Sequence, residues 1–145
     1  MLKTYNPKQV LISLGSHSVS GYSDGTFVNI EASGDGITKK VGCDGEVVRS
    51  IDPDRSATIT LTVLQRSPTV SWAQKQFDLD RESGDGTFPV LIKDMKGGLL
   101  FSAKDAWVVT SPTREFAKDS TDREIQIDCG ECSYEGEEIS SSSLI

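Results

Sequence analysis

The sequence predicts a mainly β domain, an antiparallel sandwich or barrel with one flanking α-helix. Short stretches alternate apolar and polar residues, turn residues such as Asp-Gly separate them, and a single stretch has helical spacing. The chain has 145 residues, 36% of them hydrophobic, and 13 glycines. This length and composition fit one core joined by many turns, with about seven strands.

The clearest strand covers residues 56–64. Ile59, Leu61 and Val63 alternate with threonines, which is typical of a strand that has one face in a core. Further strands are expected at 10–14, 27–32, 88–93, 99–110 and 124–129.

The strand at 99–110 is expected to place Phe101, Ala103, Trp107 and Val109 on its core face, with Asp105 as an exception.

The pair Ser67-Pro68 predicts the start of the helix, with Ser67 as N-cap and Pro68 at the first helical position. The helix is expected to run to about Leu79, and a charged loop is expected from Asp80 to Gly86.

We expect one domain over residues 1–132, with a long loop at about 34–55 and an acidic, Ser-rich flexible tail at 133–145. In the loop, Asp-Gly and other glycine-rich turns flank short stretches of mixed polarity, so it supplies few core residues. Such a charged segment is either a solvent-exposed loop or an arm that contacts another molecule.

The formal net charge of −7 argues against a protein that grips DNA, because phosphate binding needs a basic face. The densest basic run is only Lys39-Lys40. Like charge would instead keep a surface from sticking to phosphate. The N-terminus shows no apolar signal region, and no window approaches the ~18 apolar residues of a membrane span. We therefore expect a protein made and kept in a cytoplasm, with no membrane anchor.

No residue pattern predicts a catalytic, cofactor or metal site. His17 is the single histidine, and no nucleophile-elbow motif accompanies it. Cys129 and Cys132 form one C-x-x-C, whereas a structural zinc site usually needs two such pairs or added histidines. The Asp-Gly pairs do not have the spacing of a calcium loop and are better explained as turns.

Two sequence blocks carry a resemblance to a known family. Residues 42–50 follow the pattern G-x-D-G-E-V-x-R-S, and residues 54–61 follow D-R-S-x-T-I-T-L. Together with the order of segments over about residues 5–129, they resemble the tail tube proteins of contractile-tailed bacteriophages.

The resemblance implies a non-enzymatic structural protein of the virion tail, with a fold related to the type VI secretion tube protein. It implies that six copies form a ring, and that rings stack into a hollow tube around a tape measure protein. The tube would sit inside the tail sheath, contact baseplate and tail terminator proteins, and conduct DNA only as non-specific passing cargo. Assembly would take place in the host bacterial cytoplasm.

The resemblance also places the loop at 34–55 where related tubes contact a neighbouring subunit. The candidate subunit contacts are Ile37, Lys39, Lys40, Val41, Asp44, Glu46, Arg49, Asp54 and Arg55. The candidate lumen-facing residues are Thr58, Thr60, Thr62, Glu124, Gln126 and Asp128.

Three alternatives remain open on sequence grounds. One is another ring-forming protein of the same fold, such as a secretion-type tube or a tail-completion protein. Another is a ligand-binding β-sandwich, although Trp72 is expected on the helix and Trp107 in the core rather than on an exposed aromatic platform. The last is a small hydrolase that uses His17.

Overall fold

The computed structural model describes residues 4–95 and 98–136 of the chain. Within these residues lie ten β-strands, one α-helix and a short 3₁₀ helix at Pro7–Gln9. The strands are β1 (Val10–Leu14), β2 (His17–Ser18), β3 (Val28–Ala32), β4 (Ile37–Val41), β5 (Val47–Ile51), β6 (Ala57–Leu64), β7 (Phe88–Asp94), β8 (Leu100–Val108), β9 (Asp122–Cys129) and β10 (Cys132–Glu135). The helix α1 covers Pro68–Ser83. The predicted mainly β, antiparallel architecture with a flanking helix is confirmed.

Eight strands form one antiparallel sheet in the order β2-β1-β7-β8-β9-β6-β3, with β10 paired to the first half of β8. The inward side chains of both halves of this sheet belong to a single hydrophobic cluster, so the sheet curls around one core. Among the described residues, strands β4 and β5 pair only with each other and form a separate two-stranded sheet.

The centre of the domain is the pairing of β6 with β9, which runs in register over eight residue pairs from Ala57↔Cys129 to Leu64↔Asp122. Ile59, Leu61 and Ile127 on this ladder are 0% exposed. Burying each such side chain contributes about 1.5–3 kcal/mol, so this ladder is a major source of stability.

Tyr22 connects the β1 half of the sheet to the β6 half. Its backbone forms an isolated bridge with Val63, and its hydroxyl donates a hydrogen bond to the carbonyl oxygen of Val10 at 3.4 Å. Its ring also stacks on Phe27, with 4.6 Å between centroids.

The start of the helix is as predicted. Ser67 is the N-cap, its hydroxyl oxygen accepts a hydrogen bond from the backbone N–H of Thr69, and Pro68 occupies the first turn. Ala73 is fully buried, and Trp72 meets Phe88 edge-to-face at 4.9 Å.

The expected end of the helix near Leu79 is wrong, because α1 continues to Ser83. It stops where Gly84 adopts φ 76°, a left-handed C-cap conformation that suits glycine. The expected loop from Asp80 to Gly86 is thus helical in its first half.

The expected core face of β8 is wrong in its second half. Phe101 and Ala103 are buried as predicted, but Ala106 and Val108 follow them inward, so Trp107 faces away from the core. The register between β7 and β8 shifts at this point, and an extra residue in one strand moves every later side chain to the opposite face.

The expected flexible tail from residue 133 begins too early. Ser133, Tyr134 and Glu135 belong to β10 and pair with β8, and the Tyr134 ring meets Phe101 edge-to-face at 5.0 Å. Residues 137–145 of the expected tail lie outside the described residues.

The Ser67 cap generates a prediction. Ser67 is buried, and its hydroxyl also donates to the carbonyl oxygen of Ser20, so Ser67→Ala removes two hydrogen bonds at once. We expect a loss of about 1–2 kcal/mol in the free energy of unfolding, measured by urea denaturation. The matched control is Ser71→Ala at an exposed position of the same helix, which should change stability by less than about 0.5 kcal/mol. Equal effects of the two substitutions would contradict this account of the cap.

Candidate assembly surfaces

The two-stranded sheet of β4 and β5 is an arm that projects from the domain. The arm comprises residues 37–51. Its strands pair from Ile37↔Ile51 to Val41↔Val47, and every arm residue is exposed. An isolated two-stranded hairpin is at best marginally stable in water, and this one buries no side chain in the core. The arm therefore adds little to the stability of the domain that carries it.

Hydrogen bonds fix the arm at its root. The Asp52 carboxylate accepts hydrogen bonds from the backbone N–H groups of Asp35 and Asp54, both at 2.9 Å. The Asp54 carboxylate in turn accepts from the backbone N–H and the hydroxyl of Ser56, and these bonds lower its pKa. The direction in which the arm leaves the domain is thus set by local side-chain contacts.

The predicted subunit contacts lie in three places: the tip, the root and the strands of the arm. Asp44 accepts a hydrogen bond from the Glu46 N–H and shapes the tip, while Asp54 fixes the root. Arg55 lies exposed at the root. The residues Ile37, Lys39, Lys40, Val41 and Arg49 lie along the exposed strands of the arm.

Sequence reasoning missed Val47, Val48 and Ile51, which are 56%, 58% and 70% exposed on the second arm strand. The signal that could have revealed them is the β-branched composition on both sides of the glycine turn at 42–45. Their exposure means that this surface is available for contact.

All six predicted lumen-facing residues lie on one surface. Opposite one another on the outward side of β6 and β9 are Thr58↔Asp128, Thr60↔Gln126 and Thr62↔Glu124. The next strand, β3, extends the same surface with Asn29 and Glu31, which pair with Thr60 and Thr58. Together with Leu64 and Asp122, these residues are called the polar face: Asn29, Glu31, Thr58, Thr60, Thr62, Leu64, Asp122, Glu124, Gln126 and Asp128.

The polar face carries four carboxylates and no Lys or Arg: its acidic members are Glu31, Asp122, Glu124 and Asp128. Neutral hydroxyl and amide groups separate them, and Thr58 donates a hydrogen bond to Asp128 at 3.1 Å. A surface of this kind repels phosphate and gives a nucleic acid few places to bind.

The large sheet has open edges. Among the described residues, its two terminal strands, β2 and β3, each have a neighbour on one side only, and alternate residues of β3 turn their backbone groups to the open side. Such an edge readily pairs with a strand of another chain. The free edge of β3 borders the polar face, so pairing there would continue that face into a second molecule.

His17 has structural contacts. Its Nε2 lies 3.0 Å from the Thr69 hydroxyl, and its ring stacks on Trp72 with 5.1 Å between centroids. Burial lowers the pKa of His17. The residue thus joins β2 to the start of α1, and neither contact is to a nucleophile held by a general base.

The C-x-x-C cysteines are buried thiols. Burial, followed by the proximity of Cys132, raises the pKa of Cys129 to about 12, and burial also raises the pKa of Cys132. A thiol with a raised pKa is a poor nucleophile, so the pair lacks the character of a redox motif. Within the described residues, no group of three or more His, Cys, Asp or Glu side chains could hold a metal ion.

A cleft of about 1150 Å³ lies between the arm root and the outward side of β7, β8 and β10. It is open to solvent and contains side chains of mixed type, including Leu91, Lys104, Asp105 and Tyr134. Ligand-binding pockets usually enclose their ligand, whereas this cleft is open.

None of the helices in the described part of the chain is long and apolar enough to cross a membrane.

Comparison with known proteins decides the family. The model of the bacteriophage PhiTE tail tube protein family matches residues 10–135. The chain belongs to this family. It is also 30% identical over 129 residues to "Structural protein ORF10" of Pseudomonas phage KPP10, a match that covers 83% of this chain and 75% of that protein. The predicted resemblance to phage tail tube proteins is thereby confirmed, and the protein is a structural component of the phage tail.

Solved structures of contractile machines share the fold of this tail tube protein. One is from the sheath/tube terminator of an extracellular contractile injection system called PVC, with a TM-score of 0.60, 12% identity, and coverage of 93% of this chain and 99% of that one. Another is from the PVC sheath-tube complex, with a TM-score of 0.56, 13% identity and 92% coverage of both chains. At these identities the likeness establishes the fold.

The environment of His17 predicts a pH dependence. The folded protein holds His17 at a pKa below its ordinary value of 6.5, so the unfolded chain binds a proton more readily. Stability should therefore fall as pH drops through and below about 6.5. Urea unfolding of the native chain and of His17→Gln at pH 7.5 and pH 5 measures this effect. The native chain should lose more stability than the variant, and an equal loss would show that His17 does not contribute.

Proposed function

We propose that this tail tube protein forms hexameric rings that stack into a hollow tube, through which DNA passes. The observation that carries the proposal is the family match over residues 10–135. Three features support it: an open sheet edge at β3, an exposed arm, and a polar face free of cations. The protein then acts as a structural subunit and not as an enzyme.

The polar face lines the lumen of the proposed tube. Edge pairing at β3 would extend the polar face from one subunit to the next, so that a closed ring presents it continuously. Its carboxylates, among them Glu124 and Asp128, would keep DNA phosphates from binding during transit. DNA is then passing cargo with no specific contact.

The arm provides a second contact that differs from the edge pairing. A closed ring uses one heterologous interface, and the stacking of rings needs another. The arm suits that second interface because its exposed strands cost the subunit no core residue. The domain thus comprises an inter-subunit arm and a β body, which is the rest of the described domain.

The remaining partners follow from the tube. It encloses a tape measure protein, lies within the sheath, and ends at baseplate and tail terminator proteins. The fold shared with a protein of the PVC sheath-tube complex supports a place next to a sheath. Assembly takes place in the host bacterial cytoplasm.

A ring-forming tube of a secretion-type machine is the alternative function, and the fold shared with an injection-system complex favours it. Electron microscopy of the purified chain tests the main proposal directly. Long tubes support it, isolated single rings favour a terminator or completion protein, and a persistent monomer at high concentration contradicts both.

Removal of the arm tests its role. We expect that replacing residues 37–51 with a two-residue Asn-Gly turn leaves a folded body, because no arm residue is buried, but abolishes long tubes. Circular dichroism and urea denaturation check the fold, and electron microscopy checks assembly. Tubes of normal length from this variant would remove the arm from the assembly contacts.

Charge reversal tests the lumen assignment. Tubes that carry Glu124→Lys and Asp128→Lys should bind short DNA duplexes in a salt-dependent manner, because cations then replace carboxylates on the polar face. If this face lines the lumen, the bound DNA should be protected from nuclease.

The control for this reversal has the same change in charge at a different place. Glu82→Lys with Asp85→Lys alters exposed residues at the end of α1. DNA bound to those tubes should be digested. Digestion of the DNA on both kinds of tube would mean that the polar face lies outside the lumen.

A further inference from the structure

The two faces of the arm differ in chemistry. Residues directly opposite in an antiparallel pair lie on the same face of a sheet. One face, called here the front face, carries the pairs Ile37↔Ile51, Lys39↔Arg49 and Val41↔Val47. The other, the back face, carries Thr38↔Ser50 and Lys40↔Val48. The front face thus presents two aliphatic pairs on either side of a pair of cations.

The cation pair at the centre of the front face lacks an anionic partner. Lys39 and Arg49 stand directly opposite each other, and like charges in that arrangement destabilise a hairpin. The described part of the chain supplies no carboxylate for either of them. An anionic group placed between the two would turn this repulsion into attraction.

The arm strands also differ in charge from the rest of the protein. Strands β4 and β5 contain Lys39, Lys40 and Arg49 and no acidic residue, whereas the whole chain has a net charge of −7. The surface that fits the front face is therefore apolar with a carboxylate at its centre. Another copy of this acidic chain can supply such a surface.

We propose that the front face of the arm docks on the body of a second copy of this chain. In that contact a carboxylate of the second copy lies between Lys39 and Arg49. Apolar side chains of that copy meet the Ile37↔Ile51 and Val41↔Val47 pairs, and the back face stays in solvent. This inference rests on the proposed self-assembly and specifies its chemistry.

The contact is heterologous. Two arms that met front face to front face would bring four cations together, because each face carries Lys39 and Arg49. A symmetric arm-to-arm dimer is therefore disfavoured, and the arm must meet a different part of its neighbour. Heterologous contacts of this kind produce rings or filaments rather than closed dimers.

A nucleic acid fits the front face less well. Four exposed aliphatic side chains flank the cations, ranging from 55% exposed for Val41 to 70% for Ile51. Phosphate contacts would leave this apolar area in water, whereas a protein surface would cover it. The net charge of the chain also repels DNA.

Adjacent valines of the arm provide a matched test. Val47 lies on the front face and Val48 on the back face, and their exposures of 56% and 58% are nearly equal. We expect Val47→Ser to raise the protein concentration needed for half-maximal tube formation about tenfold, while Val48→Ser changes it less than about twofold. Sedimentation and electron microscopy measure assembly.

Adjacent lysines provide the same comparison for charge. Lys39→Glu sets a carboxylate against the expected carboxylate of the neighbour, so it should weaken assembly at least as much as Val47→Ser. Lys40→Glu makes the same change in net charge on the back face and should assemble nearly as the native chain does. Neither substitution should alter the urea midpoint of the body, because both lysines are exposed.

The outcomes separate this inference from the proposed function. If the native chain forms tubes but front-face and back-face variants assemble equally well, the front face is not the docking surface, although the proposed tube still holds. If the native chain stays monomeric at high concentration, both proposals fail. If front-face variants assemble normally but lose binding to a short DNA duplex that the native chain binds, the partner is a nucleic acid and the inference is overturned.

Discussion

The pairing of β6 with β9 is the constraint on which the rest of the structure depends. It holds eight residue pairs in one register, so Ile59, Leu61 and Ile127 enter the core together. Because side chains alternate along a strand, the same register brings Thr60 opposite Gln126 on the outer side. A slip of one residue would expose the core and bury the polar face. Stability and the candidate lumen surface are therefore specified by the same backbone pairing.

The arm differs from the β6–β9 pairing, because it is exposed and contributes nothing to the core. None of its residues is buried, and within the part of the chain that the structure describes its strands pair only with each other. Its root is nevertheless fixed by the carboxylates of Asp52 and Asp54. In the proposed tube, a segment that is anchored but unsupported by a core would gain its stability from contacts with a neighbouring subunit. The hydrophobic core thus lies entirely outside the arm, and the aliphatic and cationic side chains of the arm are exposed.

Sequence reasoning succeeded where one face of a segment is buried and the other is solvated. The alternation at 56–64 and the Ser67-Pro68 start of the helix both have local physical causes, and both are confirmed. It failed at Trp107, because the register shift between β7 and β8 depends on how the two strands pair. It also missed Val47 and Ile51 as candidate contacts, because the sequence drew attention to the charged residues of this segment, and only the structure shows how exposed these two apolar side chains are.

The sequence by itself determined the class of fold, the position of the helix start, the acidic charge that disfavours DNA binding, and the resemblance to tail tube proteins. These properties follow from composition and from contacts between residues close in the chain. The tertiary structure decided that Thr58 and Asp128 share one surface, that residues 133–135 form a strand, and which arm residues share a face. Those facts depend on pairing between strands, often far apart in the chain, and no local pattern records which strands will pair.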